Sequence, residues 1–119
     1  MARVLIVDDS EEDRLLQRTA LEDAGHDLFF AKNGGEAMKA YLGKDIDVVV
    51  TDFQMPDGNG FELITGLLGM DEDTKIIALS GSSPEELDMA KLLGALPTLA
   101  KPVDPNEFIE AVAEATASS

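Results

Sequence analysis

Five short apolar runs alternate with five helix-start signals along this chain, and that alternation constrains its fold more than any other feature. The runs are Val4-Leu5-Ile6-Val7, Leu28-Phe29-Phe30-Ala31, Val48-Val49-Val50, Ile76-Ile77-Ala78-Leu79 and Thr98-Leu99-Ala100. Their apolar character is continuous, which predicts strands covered on both faces, as in a parallel sheet. A cap signal follows each run. Ser10 precedes Asp13, Asn33 precedes Glu36, Asn59 precedes Glu62, Ser83 precedes Glu86 and Asp104 precedes Glu107, always by three positions. An N-cap oxygen with an acid three residues later satisfies free amides of the first turn and meets the positive helix end. Pro84 and Pro105 fall at first helical positions, where a missing N–H costs little. Gly25, Gly43, Gly69 and Gly94 fall where helices should stop.

Parallel strands joined by right-handed crossovers carry helices on both sheet faces. The expected fold is therefore α/β, a (βα)5 doubly wound five-stranded parallel sheet in three layers. Strands are predicted over 3–7, 27–31, 47–51, 75–79 and 97–100, and helices over 11–24, 34–43, 60–68, 84–93 and 105–116. The 119 residues fit one domain, 1–119, with no linker, repeat or low-complexity stretch. Residues 115–119 are expected to fray.

Composition narrows the chemistry. Without cysteine there is no disulfide, thiolate nucleophile or cysteine metal site. The single histidine, His26, excludes a polyhistidine metal centre and reads as a surface turn residue. Nine basic against 24 acidic residues give a net charge of -15, a surface that repels nucleic acid and anionic lipid and favours cations. No apolar run approaches the roughly 20 residues of a membrane span, and no secretory leader pattern opens the chain. A cytoplasmic protein is the expectation.

In an open parallel sheet, ligands bind beyond the carboxyl ends of the strands. Asp8 and Asp9 follow the first run, Asp52 the third, Ser80 and Gly81 the fourth, and Lys101-Pro102 the fifth. If strands 1 and 3 are neighbours, three carboxylates converge. Two such charges about 5 Å apart repel by roughly 3 kcal/mol at an effective dielectric near 20. Three must take up a proton or recruit a cation. Oxygen ligands of this kind suit Mg2+ or Mn2+, and a lysine and a hydroxyl opposite suit an anion bound against the metal. The inferred visitor is a phosphoryl group, with Asp52 as nucleophile.

Asp8-Asp9, Asp52 followed by Met55-Pro56 and Gly60 in "DFQMPDGNG", Ser80, and Lys101-Pro102, each at a predicted strand end, resemble the receiver domain of two-component response regulators. The resemblance spans essentially the whole chain and implies a flavodoxin-like strand order 2-1-3-4-5. It implies that Asp52 is the phosphoacceptor, attacking a phosphohistidine. Asp9 would be a direct metal ligand, Asp8 a ligand through water, and the Gln54 backbone carbonyl a further one. Lys101 would pair with Asp52 and a phosphoryl oxygen, and Ser80 would donate its hydroxyl. Partners would be a histidine kinase or histidine phosphotransfer protein and a downstream protein target, with neither nucleic acid nor membrane involved. Such a module is a switch with at most autophosphatase activity, not a turnover enzyme. The resemblance also implies a cis Lys101–Pro102 bond, which in an X–Pro pair costs only about 0.5–1 kcal/mol.

Plainer readings stand beside these. Asp8 and Asp9 could serve only a helix dipole, Asp52 only a turn, and the serines after Leu79 only a loop. Glu11, Glu12 and Asp13 read as a solvated face. Met55-Pro56 and the glycines at 58 and 60 read as turn formers with permissive backbones. Phe61, Ile64, Leu67 and Leu68 read as core. Three positions depart from the receiver pattern: Thr98 stands where an aromatic switch residue is usual, and Leu96 and Pro97 replace common polar residues. The acceptor set is intact while the readout is altered. Alternatives are a degenerate receiver acting as an unphosphorylated scaffold and a Mg2+-dependent phosphatase with an aspartyl nucleophile. The phosphatase pattern asks for an acid where Gln54 stands. A flavodoxin-like electron carrier is disfavoured by "DDSEED", which would repel phosphate.

Overall fold

The apolar runs form one five-stranded parallel sheet in a computed structural model that describes residues 2–53, 60–80, 88 and 97–117. The strands are β1 (Arg3–Val7), β2 (Asp27–Ala31), β3 (Val48–Asp52), β4 (Lys75–Ser80) and β5 (Thr98–Ala100). The described helices are α1 (Glu11–Glu22), α2 (Gly34–Gly43), α3 (Gly60–Met70) and α4 (Pro105–Ala117). Spatial order is β2-β1-β3-β4-β5, the flavodoxin-like arrangement expected. Of the helix predicted over 84–93, only Asp88 lies within the described residues, and it is helical.

Alternate strand residues point to opposite faces, so each apolar run feeds two cores. Leu5, Val7 and Val49 pack with Ala37 of α2 and Leu63, Ile64 and Leu67 of α3. Val4, Ile6, Val48 and Val50 pack with Leu21 of α1 and Phe108 and Val112 of α4. β3, central in the sheet, is buried at all five positions. Burying one side chain such as Phe108 stabilises the fold by about 1.5–3 kcal/mol. Among the described residues no helix is long and apolar enough to cross a membrane.

Several local expectations change. Coverage on both faces holds for β1 and β3, but β2 is an edge strand, and its Phe30 is 40% exposed. Asp52 is the last residue of β3 and not a residue beyond it, paired in register with Leu79. Gly69 lies inside α3, which runs on to Met70. Of residues 115–119, 115–117 are helical, with Ala115 packed into the core beside Val112, and 118–119 lie outside the described residues. Gly25, at φ 81°, lies in the turn two residues beyond the Asp23 C-cap of α1, and Gly43 is the last residue of α2. Three caps form within the described residues. Ser10 Oγ accepts from the Asp13 amide at 3.2 Å, Asn33 Oδ1 from Glu36 at 2.8 Å, and Asp104 Oδ1 from Asn106 at 2.9 Å.

Candidate functional site

Strand register brings the acidic residues together. Val7 of β1 pairs with Thr51 of β3, so Asp8, just beyond β1, and Asp52, the last residue of β3, emerge side by side. Carboxylate oxygens of Asp8, Asp9 and Asp52 lie within 4.8 Å of one another. Asp8 is fully buried, Asp52 nearly so, and Asp9 is exposed. Lys101 enters from the end of β5, 93 positions from Asp8 in sequence. Its Nζ donates to Asp8 Oδ2 at 2.7 Å and to Asp52 Oδ2 at 3.1 Å. The Lys101–Pro102 peptide is cis.

The Asp8 carboxylate is held by three hydrogen bonds. Its Oδ1 accepts from the Ser10 amide at 2.9 Å, and its Oδ2 accepts from Gln17 Nε2 at 3.1 Å as well as from Lys101. Arg14 donates to the Asp8 carbonyl oxygen. Asp9, by contrast, has no side-chain hydrogen bond among the described residues and faces solvent. Carboxylate oxygens are hard ligands suited to a divalent cation that keeps part of its water shell. The trio Asp8, Asp9 and Asp52 therefore fits such an ion, with exposed Asp9 the most open to direct ligation and Asp8 already accepting three hydrogen bonds. Burial alone would lower the pKa of Lys101. Hydrogen bonds to Asp8 and Asp13, with the charges of Asp52 and Asp8, more than offset it and hold the ammonium well above the usual lysine range.

Two residues here were not legible as site residues. Asp13, read as part of a solvated face, places Oδ2 2.9 Å from Lys101 Nζ. The cap explains why. In a capping box the third acid reaches back to the N-cap amide, but the Ser10 amide already donates to Asp8, which leaves the Asp13 carboxylate for Lys101. Gln17, 1% exposed, braces Asp8 from the next turn. A signal did exist. Asp13, Gln17 and Leu21 share one helical stripe, while Leu15 and Leu16, apolar by type, are each 59% exposed. Glu11 and Glu12 remain exposed, as expected of a solvated face.

Gly60 has a different role from the one expected. It opens α3, donates its amide to the Phe53 carbonyl at 2.9 Å and does not have a positive φ. A Cβ there would lie 2.0 Å from the Asp52 carbonyl oxygen and 2.9 Å from Phe53 Cα. Glycine is required by close approach, since α3 begins directly against the backbone that carries Asp52. Thr51 Oγ1 donates to the same Asp52 carbonyl at 3.0 Å. Gln54, Met55, Pro56 and Gly58 lie outside the described residues, as do Gly81, Ser83, Pro84, Gly94 and Leu96. For Ser80 the structure gives the backbone, the last residue of β4, next to Ala100 in register. Ile64 and Leu67 are fully buried core residues, as expected.

Comparison with known proteins agrees with the fold. The family model for the response regulator receiver domain matches residues 4–113. The chain is 40% identical over 91 residues to the autoinducer 1 sensor kinase/phosphatase LuxN of Vibrio campbellii, covering 76% of this chain and 11% of that protein. It thus spans only about a tenth of that kinase. It is 32% identical to the chemotaxis protein CheY of Thermotoga maritima, covering 92% of this chain and 93% of that one. A crystal structure of a response regulator receiver domain protein from Clostridium thermocellum superposes with a TM-score of 0.91 at 25% identity, covering 99% and 96% of the two chains.

Proposed function

Because this chain belongs to the response regulator receiver domain family, we propose that it is a phosphoacceptor switch that takes a phosphoryl group onto Asp52. The observation that carries this reading is the meeting of Asp52 with Lys101 at 3.1 Å, beside the Asp8–Asp9 pair. An Asp52 carboxylate oxygen attacks the phosphorus of a phosphohistidine in line. The P–O bond forms as the P–N bond breaks, and the released imidazole nitrogen takes a proton from water. Little covalent chemistry is asked of the protein, so positioning and charge neutralisation dominate. Lys101 meets a phosphoryl oxygen, and Ser80, at the end of the neighbouring strand, supplies a hydroxyl. Mg2+ or Mn2+ would be held by Asp9 and Asp52 directly, by Asp8 through water and by the Gln54 carbonyl. When bound, the cation neutralises charge between acceptor and phosphoryl group. Slow hydrolysis of the acyl phosphate resets the switch.

The donor is a histidine kinase or histidine phosphotransfer protein, and the output is docking on a downstream protein in the cytoplasm. The match to part of a sensor kinase/phosphatase and to a chemotaxis protein supports a place in two-component signalling. The test is uptake from a small donor. With acetyl phosphate and Mg2+, the intact mass of the wild type should rise by one phosphoryl group. Asp52→Asn, or the wild type with the metal chelated, should gain none. Equal gain in the wild type and Asp52→Asn would refute the assignment.

Thr98 carries a further expectation. It lies on β5 paired with Ala78, and a threonine offers no ring to turn inward when the site fills. The response of residues 97–110 to beryllofluoride should therefore be small. Amide spectra with and without this phosphate mimic check it, against Thr98→Tyr as the comparison. Wild-type shifts across 97–110 as large as those of Thr98→Tyr would contradict it.

A further inference from the structure

Lys101 has three N–H donors and, in this structure, three carboxylate partners. They are Asp8 at 2.7 Å, Asp13 at 2.9 Å and Asp52 at 3.1 Å. Every donor is engaged before any phosphoryl group arrives. A phosphoryl group on Asp52 that recruits the ammonium must therefore displace one of the three.

The three partners are not equally able to yield. The Asp8 side chain is 0% exposed and is pinned by the Ser10 amide and Gln17. Asp52 becomes an uncharged acyl group on modification, so its N–H passes to the phosphoryl group it then carries, and any second phosphoryl contact has to come from Asp8 or Asp13. The Asp13 side chain is 38% exposed, stands on the first turn of α1, and makes no bond besides that to Lys101 among the described residues. Its carboxylate can turn into water at little cost, because water replaces the lost partner. The bond to Asp13 is thus the one that opens.

We propose that Asp13 is a positioning residue that holds Lys101 in the unmodified protein and releases it to the phosphoryl group when Asp52 is modified. The proposal rests on the reading of Asp52 as phosphoacceptor. Asp13 acts through Lys101 in two ways. It competes for the ammonium, and it places one more negative charge beside the path of an anionic donor. Both slow uptake, so this acid sets how readily the switch fires. The Asp13 carboxylate, once released, is a change on the α1 surface that a partner can read.

The test compares phosphoryl uptake from acetyl phosphate with Mg2+ in the wild type, Asp13→Asn and Glu12→Gln. Glu12 is the adjacent exposed acid, with no bond to Lys101, so its variant removes the same charge without touching the contact. Asp13→Asn should raise the initial rate about fivefold, equivalent to about 1 kcal/mol for one partly exposed ion pair. Glu12→Gln should stay within about twofold, as a screened surface charge. A spectroscopic readout separates the contact from charge. The Asp13 side-chain carboxyl carbon, assigned by its disappearance in Asp13→Asn, should shift when beryllofluoride is added to the wild type. If Asp13→Asn and Glu12→Gln behave alike, or the Asp13 carbon does not move, the proposal is overturned while the phosphoacceptor reading stands. If the wild type takes up no phosphoryl group, the phosphoacceptor reading fails and this proposal with it.

Discussion

Gly60→Ala should cost the protein more than about 3 kcal/mol and abolish productive placement of Asp52. A Cβ at position 60 would lie 2.0 Å from the Asp52 carbonyl oxygen, far inside contact distance. The obstructing atoms are backbone, not the end of a flexible side chain, so no rotamer change relieves the overlap. Overpacking against movable side chains typically costs about 1–3 kcal/mol, and here either α3 or the end of β3 must shift. The shift falls on the residue that carries the acceptor. Gly69→Ala, in the same helix, is the internal comparison. Nothing lies within 4 Å of its Cβ position, and alanine in a helix is favoured over glycine by about 0.5–1 kcal/mol. Urea unfolding should show Gly69→Ala equal to or more stable than wild type and Gly60→Ala far less so. Comparable stability of Gly60→Ala and wild type would mean that α3 does not approach Asp52 as described.

The second large effect is expected at Lys101. Lys101→Met removes the cation shared by Asp8, Asp13 and Asp52 and keeps most of the side-chain volume. Removing one partner of a buried pair costs about 3–5 kcal/mol, because the remaining charge is left uncompensated. Asp8, wholly buried, is in that position, and its neighbours Asp9 and Asp52 add like-charge repulsion. The loss should lie at the lower end, about 3 kcal/mol, since Asp13 can turn into solvent. Mg2+ should restore a large part of it by supplying positive charge to the same carboxylates. The pH dependence has a definite sign. The folded-state pKa of Lys101 is raised, so its contribution is complete at every pH below the usual lysine value. It is lost only as pH rises through the higher folded value. The stability gap between wild type and Lys101→Met should therefore be flat from neutral pH to moderately alkaline pH. A gap that closes between pH 7 and pH 9 would contradict the triple contact. Thermal melts with and without Mg2+ across that range provide the check.

Within the described residues the sequence disclosed the fold to within a few positions, for a physical reason. Each strand of a doubly wound sheet carries a continuous apolar run, and α1, α2 and α4 each open on a cap, so local signals agree with the global arrangement. Asp8, Asp9, Asp52 and Lys101 were visible for the same reason, because the site lies where strands end. Asp13 was hidden because its role depends on another bond. Only when the Ser10 amide is known to donate to Asp8 does the Asp13 carboxylate become free to reach Lys101. Gln17 was hidden in a helix whose two most conspicuous apolar residues, Leu15 and Leu16, face outward. Gly60 was visible as a glycine, but its reason was not, since a close approach between β3 and α3 is a tertiary fact. The partial exposure of β2 likewise follows from its edge position in the sheet order, which no local run of residues encodes.

The central claim is that Asp52 accepts the phosphoryl group. Borohydride cleaves an acyl phosphate by reduction and leaves homoserine in place of the acceptor aspartate, so the modified position can be read directly. Protein treated with acetyl phosphate and Mg2+, reduced and then digested should yield homoserine at position 52 and at no other aspartate. Homoserine at Asp8, Asp9 or Asp13, or none anywhere despite an added phosphoryl mass, would contradict the account.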